Sequence, residues 1–155
     1  MEANSTDQKT FQLVDNGKQL GEIIYKSIFS FSAEIKLATS DVYEIKSVGI
    51  FGTTISVTRG GADIATLTMN WRGQIVIAFQ NGQEFVLKAI GTFYNKFVIE
   101  DKDEKKIVLF DPTFNWSKWH YNYKITYDEK PQDTLLILLG VYASNYFIAT
   151  MSGMA

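Results

Sequence analysis

Apolar and polar side chains alternate along most of the chain, from Phe11 to about Tyr127. Successive side chains of a β-strand point to opposite faces of the sheet, so a period of two predicts strands with one buried face. β-branched and aromatic residues dominate these segments, as is typical of strands. The pattern predicts about ten strands, at residues 19–25, 33–37, 43–46, 54–58, 64–69, 74–79, 84–88, 93–99, 106–110 and 121–127.

The segments between these strands favour tight antiparallel hairpins. Asn16-Gly17 and Asn81-Gly82 fit type I′ turns, in which both central residues have positive φ. Gly60-Gly61 and Arg72-Gly73 predict similar turns, and Asp111-Pro112 is expected to interrupt a strand because proline has no N–H. No intervening segment has a helical period, so the crossover helices of a parallel sheet are not expected. We predict an antiparallel meander in a single domain spanning residues 11–155.

The first ten residues are polar throughout, and we expect residues 1–10 to form a disordered tail. They lack the basic start and apolar core of a secretory signal. Together with a chain that contains no cysteine, this predicts a cytoplasmic location.

The C-terminal segment departs from the strand pattern and predicts one helix over about residues 134–150, with Asp133 or Thr134 as its N-cap. This helix carries no charge and is apolar almost all round, so it must be buried on every side or lie in a bilayer. If the helix is buried, Asn145 should be hydrogen-bonded rather than face an open pocket. The predicted core residues of the helix are Leu135, Leu138, Leu139, Tyr142, Asn145 and Tyr146.

Two placements of this helix compete. Residues 135–155 are uncharged and long enough for a membrane anchor, and Gly140 and Ser144 have the spacing of small residues in membrane helices. However, the upstream flank is mainly acidic, whereas membrane helices usually have flanking Lys or Arg. About ten strands closed into a barrel also leave a lumen too wide for their side chains, and a helix about 10 Å across would fill it. We favour a closed antiparallel barrel of about 10–12 strands with the hydrophobic helix threading its core.

Many short antiparallel strands followed by the hydrophobic segment 135–146 resemble the tubby-like superfamily. This group includes tubby C-terminal domains, phospholipid scramblases and the LURP-one-related proteins. The resemblance implies a twelve-stranded barrel threaded by a C-terminal helix. Tubby domains bind phosphatidylinositol bisphosphate through a cluster of Lys and Arg, whereas Arg59, Arg72, Lys88 and Lys96 are scattered singly in this sequence.

Composition and charge exclude several classes of function. The 155 residues include 15 basic and 17 acidic side chains, a net charge of -2 that argues against nucleic-acid binding. The absence of cysteine and the single histidine, His120, exclude thiolate zinc sites, cysteine nucleophiles and histidine-rich metal sites. The acidic residues of the segment 101–105 are interleaved with lysines, which indicates a soluble hairpin turn rather than a cation site. We expect no cofactor and no metal.

Aromatic residues near His120 are the best candidates for a binding surface. His120 lies in the stretch 114–121; no nucleophile motif accompanies it, so we expect it to pack beside Trp119 rather than act as a base. Aromatic rings interspersed with Arg, Lys and Asn suit ligand stacking or protein contacts, although they also serve to cover the end of a barrel. The predicted ligand or partner surface comprises Trp71, Arg72, Trp116, Trp119 and His120.

These observations predict a non-catalytic binding or adaptor module for a membrane lipid headgroup or a protein partner, and not an enzyme. One alternative is a hollow, lipocalin-like barrel that carries a small apolar ligand, which requires an open lumen. Another is a tail-anchored membrane protein that uses residues 135–155.

Overall fold

The computed structural model describes residues 1–27, 30–48, 54–93 and 95–152. Within these ranges, twelve strands are followed by one helix, so the prediction of a mainly β chain with a C-terminal helix is confirmed. The elements are β1 (Glu2–Ser5), β2 (Thr10–Asp15), β3 (Lys18–Tyr25), β4 (Ala33–Leu37), β5 (Val42–Val48), β6 (Thr54–Arg59), β7 (Ala62–Met69), β8 (Ile75–Phe79), β9 (Glu84–Ile90), β10 (Lys96–Glu100), β11 (Lys106–Asn115), β12 (His120–Thr126) and α1 (Thr134–Ser152).

The strands form one closed antiparallel barrel, as predicted. Each strand pairs with the next along the chain, and β1 closes the barrel by pairing with both β2 and β12. In such a meander the connections alternate between two ends of the barrel. The upper end holds the described connections that follow odd-numbered strands, residues 6–9, 26–27 with 30–32, 70–74, 91–93 with 95, and 116–119. The lower end holds those that follow even-numbered strands, residues 16–17, 38–41, 60–61, 80–83, 101–105 and 127–133.

The prediction of a disordered tail over residues 1–10 is wrong, because Glu2–Ser5 is the strand that closes the barrel. Ala3 pairs with Leu13 on one side and with Tyr123 on the other. The Met1 ammonium lies 3.8 Å from Asp15 Oδ1. A short polar segment therefore becomes a strand because both of its edges have partners, one of them more than a hundred residues away in sequence.

The turn predictions were partly correct. Asn16 and Gly17 both have positive φ, 51° and 79°, as do Gly60 and Gly61, so these two tight turns are confirmed. The type I′ prediction for Asn81-Gly82 is wrong, because only Gly82 has positive φ in a four-residue connection. There the Asn81 side chain accepts a hydrogen bond from the Gln83 backbone N–H at 2.9 Å.

The expected interruption at Asp111-Pro112 is also wrong, since β11 continues through Pro112 to Asn115. Pro112 pairs with Tyr123 of β12, whereas the pairing of β11 with β10 reaches only to Phe110. Beyond Phe110, β11 is paired only with β12, and its other edge forms no backbone hydrogen bonds with β10. A proline, which has no N–H, is therefore tolerated at that edge.

The first half of α1 belongs to the same apolar cluster as the buried residues of the strands. Residues 135–144 of the helix are all buried. The helix contacts β3, β4, β9 and β11, and β3 and β9 lie on opposite sides of the twelve-stranded ring. A Cβ on Gly140 would overlap the Phe110 ring and lie 2.8 Å from Ile99 Cδ1, and one on Gly21 would lie 2.9 Å from Leu138 Cδ1. The second half of the helix is less buried, with Ala149 exposed.

The alternative of a membrane anchor over residues 135–155 requires a spanning helix. Among the described residues, none of the helical structure has the length and apolar character needed to cross a membrane. Residues 153–155, the end of that segment and of the predicted domain, lie outside the described residues.

Candidate binding site at the upper end of the barrel

The β11–β12 hairpin presents an aromatic cluster made of Phe114, Trp116, Trp119 and Tyr121. The Asn115 carboxamide oxygen accepts hydrogen bonds from the Ser117 N–H and hydroxyl, at 3.2 and 2.8 Å, and so fixes the turn. The ring centroid of Phe114 lies 4.7 Å from that of Trp116 and 5.2 Å from that of Tyr121, edge to face. Trp116 and Trp119 remain 74% and 65% exposed, so the cluster packs on itself while presenting two indoles to solvent.

Trp119 has a backbone φ of +57°. This left-handed conformation is uncommon for a bulky side chain, because Cβ approaches the backbone carbonyl and costs about 1–2 kcal/mol. Backbone strain of this kind concentrates at functional sites. The turn thus holds a tryptophan where a glycine would fit with less strain.

Two other hairpins of the upper end also carry exposed aromatic residues at their tips. Trp71 is 88% exposed and its ring lies 4.9 Å from the Arg72 guanidinium carbon, and Phe93 is 84% exposed. Of the seven exposed large hydrophobic residues in the described part of the chain, only Val42 lies at the lower end. The other six belong to the upper end or to strand termini that reach it: Val48, Met69, Trp71, Phe93, Trp116 and Trp119.

Phe93 was predicted to lie in a strand over residues 93–99, but the structure places it in the β9–β10 connection. The strand begins at Lys96, and Gly91, with φ of +91°, lies at the start of the connection. The Gly91 position was the sequence signal for a turn at this point.

A cavity of about 210 Å³ opens beside the aromatic cluster. Its apolar walls include Phe31, Trp119 and Ile148, and His120 and Asn145 contribute polar atoms. These residues come from the β3–β4 and β11–β12 hairpins and from the second half of α1. The cavity therefore exists only because the barrel and the helix meet at this end.

His120 is half-buried at the rim of this cavity. Its Nε2 lies 2.6 Å from the Gln8 carbonyl oxygen, and since a carbonyl only accepts, Nε2 carries the proton and donates. The ring packs edge to face against Phe11, with centroids 5.0 Å apart, rather than in a ring contact with Trp119 as expected. This hydrogen bond ties the start of β12 to the β1–β2 turn.

A hydrogen-bonded group of phenols and one amide lies at the cavity, which Tyr25 and Asn145 line and behind which Tyr123 and Tyr142 are buried. Asn145 accepts from the Tyr123 hydroxyl at 2.6 Å and donates to the Tyr25 hydroxyl at 3.1 Å, and Tyr142 donates to the Phe31 carbonyl at 2.8 Å. Burial raises the pKa of Tyr25, Tyr123 and Tyr142 above the usual value for a phenol, so all three hydroxyls stay protonated at neutral pH. The expected hydrogen bonds of Asn145 are confirmed, but the expectation that it faces no pocket is wrong.

The structure brings only part of the predicted binding surface together. Trp116, Trp119 and His120 share one hairpin beside the cavity, whereas Trp71 and Arg72 occupy a separate hairpin at the same end. Four of the predicted helix core residues, Leu135, Leu138, Leu139 and Tyr142, are buried, and Asn145 and Tyr146 are half-buried near the cavity. Sequence reasoning missed Gln8 and Phe31, which carry no local pattern and join the site through barrel closure.

Across the residues that the structure describes, no group of three or more His, Cys, Asp or Glu side chains is arranged to hold a metal ion. Comparison of the chain with protein-family models, with curated proteins and with solved structures found no match.

Proposed function

We propose that this chain is a non-catalytic binding module that docks on a lipid membrane surface with the upper end of its barrel. The observation that carries this proposal is the concentration of exposed aromatic residues at the tips of three hairpins of one end. Tryptophan is favoured at membrane–water interfaces because its ring combines an apolar body with a polar N–H. Clustered exposed aromatic residues, such as Trp116 and Trp119, mark contacts with membranes or proteins.

The barrel geometry supports docking by this end. The alternation of hairpins around the closed barrel places Trp71, Phe93 and the two indoles of the aromatic cluster at the same end, which is the end that would meet a membrane surface. The positive φ of Trp119 also supports a binding role for this end. A glycine would relieve the backbone strain there, so a tryptophan at this position suggests that its side chain has a function.

Two features support a role other than catalysis. The His120 ring packs edge to face against Phe11 and its Nε2–H is held by the Gln8 carbonyl, contacts that a histidine with a packing role also makes. The phenols of Tyr25 and Tyr142, at and behind the cavity wall, stay protonated, so neither is available as a base at neutral pH.

We also infer that α1 occupies the barrel interior, and that the chain is related to the tubby-like barrels. The support for the first point is the burial of residues 135–144 between strands on opposite sides of the ring. An occupied interior disfavours the hollow barrel that an apolar-ligand carrier needs.

The tubby-like relationship is supported by the order of elements alone, twelve antiparallel strands and then a helix. A cytoplasmic location is part of the proposal and fits a chain without cysteine.

The test uses the full chain and vesicles of phosphatidylcholine, with and without phosphatidylserine. All three tryptophans of the chain lie at the upper end, so intrinsic fluorescence reports on that end alone. We expect flotation with at least one of the vesicle types, a blue shift of the emission, and quenching by brominated lipid.

Two variants and one control locate the contact. Trp116→Ala and Phe93→Ala should each lower the partition coefficient about tenfold, because burying an aromatic side chain contributes about 1.5–3 kcal/mol and tenfold is about 1.4 kcal/mol. Val42→Ala removes an exposed apolar side chain from the lower end and should change nothing. No flotation with any vesicle, or equal losses in all three variants, would overturn the proposal and leave a protein partner as the remaining candidate.

A further inference from the structure

The two ends of the barrel carry opposite charge. Among the described residues of the upper-end connections, four are basic and one is acidic, a net charge of +3: Lys9, Lys26, Arg72, Lys118 and Asp7. In the lower-end connections, seven are acidic and three are basic, a net charge of -4: Asp41, Asp101, Asp103, Glu104, Asp128, Glu129, Asp133, Lys102, Lys105 and Lys130. A chain with little net charge is thus strongly polarised along its barrel.

The basic side chains of the upper end are not neutralised locally. None of the four forms an ion pair with any residue in the described part of the chain. At the lower end, by contrast, Arg59 at a strand terminus pairs with Asp41 at 2.6 Å, and Lys130 pairs with Asp15 at 2.7 Å. The cations of the upper end therefore remain available to an external anion.

The one acidic side chain of the upper end is used within its own turn. The Asp7 carboxylate accepts hydrogen bonds from the backbone N–H groups of Lys9 and Thr10, at 2.7 and 2.8 Å. The carboxylate is thus turned toward the backbone of its own loop, which leaves the basic side chains as the main charges presented beyond the hairpins.

One of the cations lies over an exposed ring, and another belongs to the turn that carries the two indoles. The Arg72 guanidinium carbon is 4.9 Å from the Trp71 ring centroid, and Lys118 is in the same turn as Trp116 and Trp119. When the indoles enter the headgroup region, these charges reach the depth of the lipid phosphates and carboxylates.

From this juxtaposition of unpaired cations and exposed indoles, we infer that the membrane bound by the upper end is an anionic one, and that the barrel docks with its acidic lower end facing away. The inference rests on the proposed docking function and names its lipid class. Each basic side chain near an anionic surface contributes about fivefold to partitioning, or about 1 kcal/mol. A net charge of +3 at the upper end then predicts about hundredfold tighter binding to anionic than to neutral vesicles at low salt.

The experiment compares two charge-matched double variants of the full chain. R72Q with K118Q removes two charges beside the indoles, and K102Q with K105Q removes two from the lower end. Arg72, Lys102 and Lys105 are exposed and Lys118 is half-buried, and a thermal melt of each variant confirms that it is folded. Binding is measured to phosphatidylcholine vesicles and to phosphatidylcholine–phosphatidylserine vesicles, across a salt series.

We expect R72Q with K118Q to lose about 25-fold in binding to the anionic vesicles, with binding to neutral vesicles unchanged. The lower-end variant should keep the preference of the wild type for anionic over neutral vesicles. Rising salt should remove that preference, because the Debye length falls from about 10 Å at 0.1 M to about 3 Å at 1 M. Equal wild-type binding to both vesicle types would overturn this inference and leave docking intact. Equal losses in both double variants would also overturn it. Binding to neither vesicle would overturn docking as well and favour an acidic protein partner.

Discussion

Gly140 is the position at which the packing of α1 against the strands is tested most directly. Replacing it by alanine adds one Cβ, which would overlap the Phe110 ring and lie 2.8 Å from Ile99 Cδ1. Both neighbours are fully buried, so neither ring nor methyl group has free space to move into. The added Cβ therefore has two effects on the free energy of unfolding: a gain from the higher helix propensity of alanine and a loss from overpacking of the core.

The two effects have opposite signs. Alanine stabilises a helix interior by about 1 kcal/mol relative to glycine. Overpacking a filled core costs about 1–3 kcal/mol. Because the Cβ would overlap a buried ring, we expect the upper part of that range and a net loss of about 1–2 kcal/mol for Gly140→Ala. For a chain of this size that corresponds to a fall in Tm of about 2–4 °C per kcal/mol.

The assay is equilibrium unfolding in urea, followed by circular dichroism, for Gly140→Ala, Phe110→Leu and the double variant. Leucine lacks the outer ring atoms that the new Cβ meets, so the double variant should be more stable than the sum of the single effects by about 1 kcal/mol or more. If Gly140→Ala alone raises stability by about 1 kcal/mol, helix preference is acting without a packing penalty. That result would refute the close approach of α1 to β11.

Three further predictions concern the cavity and the ends of the barrel. Tyr142→Phe should cost about 1 kcal/mol in urea unfolding, because it removes the hydrogen bond to the carbonyl of the half-buried Phe31, whereas Tyr146→Phe should cost much less. Lys130 donates to Asp15 at 2.7 Å and lowers the pKa of that carboxyl below 3.8. The pair thus stabilises the fold above about pH 3.8, and the effect is lost as the pH falls through the lower, folded value. Lys130→Met should raise the Asp15 pKa in an NMR titration and weaken the dependence of the free energy of unfolding on pH below about 4. An Asp15 pKa that is the same in the variant and the wild type would contradict this. Trp119→Gly should be about 1 kcal/mol more stable than Trp119→Ala in the same unfolding assay, because φ is positive there, and the reverse order would argue against strain.

The sequence alone determined the elements whose causes are local. Alternation of apolar and polar residues is a property of each strand by itself, so strands such as β4 over residues 33–37 were predicted with their observed bounds. The turn at Asn16-Gly17 follows from residues that tolerate positive φ. The start of α1 at Thr134 follows from a capping position before a long apolar run.

Features that depend on distant partners were decided only by the tertiary structure. Residues 2–5 have no strand signal of their own and become β1 because β2 and β12 offer two edges. Pro112 stays within β11 because β10 ends short of it. The gathering of Trp71, Phe93 and the aromatic cluster at one end follows from the alternation of hairpins around a closed ring, which no local window contains.

The cavity and the charge polarity have the same origin. Gln8 and Phe31 precede Asn145 by more than a hundred residues in sequence, and the three meet only when the barrel closes beside the second half of the helix. The total charge of -2 conceals a basic upper end and an acidic lower end, because composition sums over positions that the fold separates. Local chemistry therefore determined which segments form, and the long-range pairing of strands decided which side chains share a surface.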